Sequence, residues 1–360
     1  MNPSAPAEVK RSDSFDPRTP PVPDDAPAGA EGSTVFGPVP SRRLGRSLGV
    51  DVIPPKTCSY DCIYCESGRT TCLTLRRQVF VPPERVIRDL SRHFADQPGE
   101  TDVLTLSSAG EPTLYAALGE LLPMIKRSFP HLPLAVLTNG SLLWDPEVRK
   151  DLTRADIVIP SLDAVSPEVF RKINRPCEGL TIEAVLEGLQ AFRKEYRGRL
   201  RVEVLLVAHI NDRPTELEKL ARVLKAVGPD SLELNTVVRP PAFPGVAGLS
   251  RDEMERALVR FSALNARIIG SYQAGGTCRE GGGLERRVLD VLSRRPCNAA
   301  EMAQSLSVSL LRMEQVIGAL LKSGSITAYR HEGILYYAPA SRGPQRERDG
   351  EKRGPLDPRE

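Results

Sequence analysis

Cys58-Ser59-Tyr60-Asp61-Cys62-Ile63-Tyr64-Cys65 sets three cysteines at CxxxCxxC spacing directly after an apolar run at 48–53. Three thiolates this close can each hold one iron of a cubane cluster, leaving the fourth iron open to another ligand. Two plainer readings stand beside it: a structural zinc site with Cys72 as fourth ligand, and unligated thiols. The chain has seven cysteines, four of them between positions 58 and 72. That crowding is no secreted disulfide framework and suits metal or redox chemistry in a reducing compartment.

Around this loop the 360-residue chain keeps a regular beat. Short apolar runs at 48–53, 103–107, 134–138, 157–161, 202–207 and 231–238 read as six strands. Each is followed by a helical pattern, at 82–94, 114–128, 146–153, 182–196, 215–227 and 251–268. Strands separated by helices must be parallel, so the class is α/β, either doubly wound or a barrel. The second, third and fourth strands end in Ala109-Gly110-Glu111-Pro112-Thr113, Thr138-Asn139-Gly140 and Ser161-Leu162-Asp163. Singly these are turn chemistry. Together they set polar residues at the carboxyl ends of successive parallel strands, where such folds bind ligands.

The flanks read differently. The first forty residues hold nine of the 32 prolines, and 1–34 is expected to be a disordered Pro-rich tail. A core domain is expected over 35–274, and 340–360 is expected to be a disordered charged tail. After the glycine-rich stretch 275–283, helix patterns at 284–293, 298–306 and 311–323 precede two strands, 326–330 and 334–337, around His331-Glu332-Gly333. Helix, helix, helix, hairpin is the layout of a winged helix over 284–339, with Tyr329, Tyr336 and Tyr337 expected in the hairpin core. Forty-nine Lys+Arg against 46 Asp+Glu leave +3, too weak to imply a general polyanion binder. No apolar run reaches the ~18 residues of a membrane helix, so a soluble, cytoplasmic protein without a membrane partner is expected.

Over about residues 37–270 these motifs resemble the radical S-adenosylmethionine (SAM) superfamily. That family carries CxxxCxxC with an aromatic residue before the last cysteine, the place of Tyr64, in a (βα)6 partial TIM barrel. Ala109-Gly110-Glu111 is similar to its Gly-Gly-Glu segment, with alanine for the first glycine. The resemblance implies that Cys58, Cys62 and Cys65 bind one [4Fe-4S] cluster. Gly110 and Glu111 would lie by the methionine end of SAM, and Thr138, Asn139, Ser161 and Asp163 near its carboxylate or ribose. It also implies reductive cleavage of SAM to a 5′-deoxyadenosyl radical that abstracts hydrogen from a substrate, with flavodoxin or ferredoxin as one-electron donor. Cys72, Cys177, Cys278 and Cys297 lack the CxxC pairs of an auxiliary cluster.

Within that superfamily, Gly37-Pro38-Val39-Pro40-Ser41-Arg42-Arg43-Leu44-Gly45 and Asn235-Thr236-Val237-Val238-Arg239-Pro240-Pro241 resemble a branch grouped loosely with tRNA wyosine-synthesising enzymes. Its substrate class would be tRNA, or a small phosphorylated molecule. Residues 40–80 add seven basic side chains against three acidic ones, which either face an anion or merely balance the loops. Arg239, His209 and Asn211 are rim candidates for substrate contact. The 284–338 segment, seven basic against five acidic, is not expected to read DNA. The competing reading is a metal- or redox-sensing DNA-binding regulator that uses the cysteine loop and the winged helix.

Overall fold

The structure, a computed structural model, describes residues 33–41, 43–96, 101–269, 283–306, 308–331 and 333–342. Both expected tails, apart from their inner ends, lie outside the described residues, as do Arg42, Cys278 and most of the glycine-rich stretch.

The chain opens with β1 (Val35–Ser41) and β2 (Gly45–Val50), followed by a two-residue pair, β3 (Thr57–Cys58) and β4 (Cys72–Leu73). Then come α1 (Pro83–Asp96), β5 (Val103–Leu106), α2 (Leu118–Ser128), β6 (Leu134–Thr138), α3 (Pro146–Leu152) and β7 (Ile157–Pro160). The body ends with α4 (Pro167–Ile173), α5 (Ile182–Glu195), β8 (Arg199–Leu206), α6 (Pro214–Val227), β9 (Ser231–Thr236), α7 (Arg251–Val259) and β10 (Ala266–Ile268).

The sheet runs β1-β2-β5-β6-β7-β8-β9-β10, and every pairing after the antiparallel β1–β2 hairpin is parallel. A doubly wound sheet reverses its strand order at a switch point. Here the order never reverses, so successive βα units march one way round into a partial barrel, and the α/β partial-barrel reading holds. The inner strands β5 and β6 are apolar runs buried almost throughout, while β8 alternates half-buried Arg201, Glu203 and Leu205 with fully buried Leu200, Val202, Val204 and Leu206.

Three local expectations change. The helix read at 251–268 stops at Val259, because the apolar text from Ala266 joins β9 as a further parallel strand. The hairpin strand β1 adds an antiparallel edge that the βα beat did not reveal. Helix α4, short and started by a proline in its first turn, had no long periodic signature to betray it.

A second cluster of buried apolar residues lies within α8 (Leu284–Arg294), α9 (Ala299–Ser305), α10 (Leu310–Lys322), β11 (Ile326–His331) and β12 (Ile334–Pro339). Asn298 and Glu301 form a capping box that starts α9, and β11 pairs antiparallel with β12. Adjacent strand residues face opposite ways. Tyr337 therefore enters this core, while Tyr336 turns to the barrel and donates its hydroxyl to Val238 O at 3.1 Å. Helices α1, α8 and α9 all touch β1. Among the described residues no helix is long and apolar enough to cross a membrane.

Candidate functional site

The cysteine loop is held from three sides. Toward β5, Lys56 N donates to Ala109 O at 2.8 Å and Glu111 N to Thr57 O at 3.1 Å. This approach requires Gly110, where a Cβ would stand 2.1 Å from Thr57 O. Toward the end of α4, Asp61 N reaches Asn174 O, Ile63 N reaches Ile173 O and Cys177 N reaches Ser59 O. From the segment after β9, Phe243 N donates to Ile63 O at 3.2 Å.

Each of the three half-buried thiols receives its own N–H donor. Asn139 Nδ2 lies 3.5 Å from Cys58 Sγ, Asn174 Nδ2 3.5 Å from Cys62 Sγ, and Lys56 Nζ 3.2 Å from Cys65 Sγ. Burial, reinforced by the Glu111 charge, pushes the Cys58 thiol up to about 12. Burial and the Asp163 charge hold Cys62 well above the usual thiol range. A bound cationic centre reverses that preference by favouring thiolates. Three separately cradled thiols fit a cluster that takes one thiolate per iron.

The strand-end motifs come together as two hydrogen-bonded knots beside the thiols. In the first, Glu111, 1 % exposed, accepts at Oε1 from Thr113 N, Thr113 Oγ1 and Thr138 Oγ1, and at Oε2 from Asn139 N. The side chain of Asn139 then spans Cys58 and Ser59. In the second, Asp163, 3 % exposed, accepts at Oδ2 from the Tyr64 hydroxyl and from Asn174 Nδ2 at 2.8 Å, and at Oδ1 from Leu205 N at 2.9 Å. Burial raises both carboxyls, Asp163 to about 6. Ser161, half-buried, donates its N–H to Thr138 O at 3.0 Å. The carboxylates are thus spent on neighbouring strand ends, so they act by positioning backbone and side chains around the thiols.

Asn174 and Lys56 are the site residues that sequence reasoning missed. Asn174 caps α4, the unforeseen helix, and Lys56 counted only as one charge of a basic stretch. Three of its seven basic residues pair with carboxylates elsewhere in the body: Arg43 with Glu203 and Glu233, Arg46 with Asp102, Arg77 with Asp151. Arg69 lies over the Phe243 ring, 4.7 Å from its centroid. Of the rim candidates, Asn211 is fully buried, bonded to Asp163 O, Leu205 O and Val207 N. His209 is exposed. Arg239 joins Glu66, the residue after Cys65, to Glu301 of α9, at 2.7 and 3.1 Å. The C-terminal unit therefore touches the exit of the cysteine loop.

The sequence profile of the Radical SAM superfamily matches residues 52–230. UPF0026 protein MJ1312 of Methanocaldococcus jannaschii is 33% identical over 307 residues, covering 84% of this chain and 94% of that protein. A UPF0026 protein of Helicobacter pylori strain J99 is 36% identical over 304 residues, covering 84% and 96%. Among solved structures, a radical SAM methyltransferase from Sphaerobacter thermophilus superposes with a TM-score of 0.50 at 19% identity, covering 62% of this chain and 65% of that one, a likeness of fold.

Proposed function

The chain belongs to the UPF0026 family within the Radical SAM superfamily, and from that membership we propose an enzyme that holds one [4Fe-4S] cluster on Cys58, Cys62 and Cys65 and cleaves S-adenosyl-L-methionine reductively. The observation that carries the reading is the CxxxCxxC loop on the carboxyl-end rim with a separate N–H donor for each sulfur. Bound there, cluster and SAM supply a 5′-deoxyadenosyl radical able to abstract hydrogen from a substrate. Gly110 lets the β5 end lie against the loop. Glu111 aligns Thr138 and Asn139, Asp163 aligns Tyr64 and Asn174, and with Ser161 these form the SAM-facing rim. A small acidic flavodoxin or ferredoxin supplies the electron, the C-terminal unit is a winged helix that helps seat the substrate, and the substrate bears phosphate. The regulator reading gains no support from the matched superfamily.

Anaerobic reconstitution with iron and sulfide, followed by reductant and SAM, should yield 5′-deoxyadenosine and methionine. A fully loaded protein that leaves SAM intact while binding one DNA sequence tightly would reverse the order of the two readings.

A positive charge beside a cluster thiolate favours the reduced, more negative state. Lys56→Met is therefore expected to move the midpoint potential to more negative values at unchanged iron content, with Lys56→Arg close to the parent. Redox titration followed by electron paramagnetic resonance reads the shift. The same potential in all three proteins would show that the Nζ to Sγ contact has no electrostatic role.

A further inference from the structure

A groove of about 800 Å³ runs between α1 of the barrel and α8 of the C-terminal unit, floored by β1 around Val35, Phe36 and Gly37. Arg85, Arg88 and Arg92 line it from α1, at spacings that keep them on one helical face. Arg286, Arg287 and Arg294 line it from α8. Asp89, Asp96 and Asp290 oppose these six arginines, a net +3 in one concave feature. Asp89 is occupied elsewhere, accepting from Thr34 N and Thr34 Oγ1, both at 3.0 Å.

The arginines differ in how far they are neutralised. Arg294 pairs with Asp51 and lies 3.6 Å over the Phe36 ring, and Arg85 is 3.9 Å from Asp89. Arg88, Arg92 and Arg286 are exposed, and no ion pair holds them among the described residues. Arg287 is half-buried and donates to Leu306 O at 3.3 Å. Burial works against its charge, a cost that an anion in the groove would offset. The large apolar side chains exposed among the described residues lie elsewhere, so nothing here inserts into a lipid surface. A concave groove with charges along both walls suits an extended strand better than the convex face of a folded protein. Arg294 holds Asp51, which directly follows β2 a few residues before the cysteine loop, so one wall of the groove reaches the rim.

We propose that the groove between α1 and α8 binds the phosphodiester backbone of a single-stranded nucleic-acid segment and leads it to the rim. This deepens the radical-enzyme reading by naming the substrate class and rests on that reading for what happens at the rim, while the binding itself does not depend on it. Phe36 is already covered by Arg294, and the contacts proposed here are to phosphate, so RNA and DNA strands bind alike.

Fluorescence anisotropy of a labelled oligouridine strand of about 12 nucleotides, and of its DNA counterpart, tests this across a range of salt. The combined variant Arg88→Ala, Arg92→Ala, Arg286→Ala is expected to bind at least tenfold more weakly. The slope of log affinity against log salt should fall by about 2, from ~0.7 per phosphate contact. A control variant in exposed α6 side chains, Arg222→Ala with Lys225→Ala, should bind like the parent. Equal affinity in the combined variant and the parent overturns the proposal, and so does a preference for polyglutamate or for phosphatidylglycerol vesicles over the strand. SAM cleavage is read separately on the same proteins. Strand binding without cleavage would refute the enzyme reading alone, and normal cleavage with no strand binding would refute the groove alone.

Discussion

Cys58→Ala, Cys62→Ala and Cys65→Ala are each expected to abolish the visible absorbance of anaerobically reconstituted protein, and SAM cleavage with it. Each thiolate supplies the ligand of one iron, so each substitution removes one iron's protein ligand. Cys72→Ala should leave both properties intact, although Cys72 stands in the short strand β4 that pairs with the cysteine loop. Its thiol is half-buried and lies outside the CxxxCxxC spacing. Loss of bound metal in Cys72→Ala, with zinc as that metal, would replace the cluster by a structural zinc site. The three loop variants should keep their fold, because the loop is anchored largely through backbone hydrogen bonds.

Asp163→Ala should be the most damaging change outside the cysteines. It removes the acceptor for the Tyr64 hydroxyl, Asn174 Nδ2 and Leu205 N at a site only 3 % exposed. With ~1–3 kcal/mol for each buried donor left unpaired, a loss of about 4 kcal/mol of stability follows. Asn174 also donates to Cys62 Sγ and Tyr64 precedes Cys65, so iron content and SAM affinity should fall together. Denaturant unfolding, iron assay and calorimetric titration of SAM measure the three. Parental stability in Asp163→Ala would mean the second knot contributes nothing.

The same carboxyl makes stability depend on pH. Burial sets Asp163 at about 6 when folded, against ~3.9 in an unfolded chain. A raised carboxyl pKa favours the protonated folded state. Its contribution is therefore fully present below about pH 4 and is lost as pH rises through about 6, each pH unit of that window being worth ~1.4 kcal/mol. Asp163→Asn cannot titrate, so the stability of the parent relative to this variant should fall by about 3 kcal/mol across that window. A flat difference would place the folded pKa of Asp163 in the ordinary range.

Much of the site was legible because its signals are local. Cysteine spacing, an aromatic before the last cysteine and polar triplets after apolar runs each lie within a few residues, and the βα beat orders them along one rim. The aim of the side chains was not legible. Glu111 and Asp163 read as residues beside a cofactor, acting on it directly or through the backbone they position; which neighbours their oxygens would hold, Thr113, Thr138 and Asn139 in one case and Tyr64, Asn174 and Leu205 in the other, was not readable. Buried polar groups must find partners, and which partners they find depends on the loops that meet around them.

By itself, then, the sequence determined the α/β class, the cysteine loop and the strand ends that surround it, since period and short-range spacing are properties of neighbouring residues. The tertiary structure decided between a barrel and a doubly wound sheet, through a strand order that never reverses. It also decided that Lys56 meets Cys65, that Glu66 is joined through Arg239 to α9, and that arginines from α1 and α8 share one groove. Those contacts join segments far apart in the chain, and the hydrophobic burial that brings them together carries no period that a sequence could display.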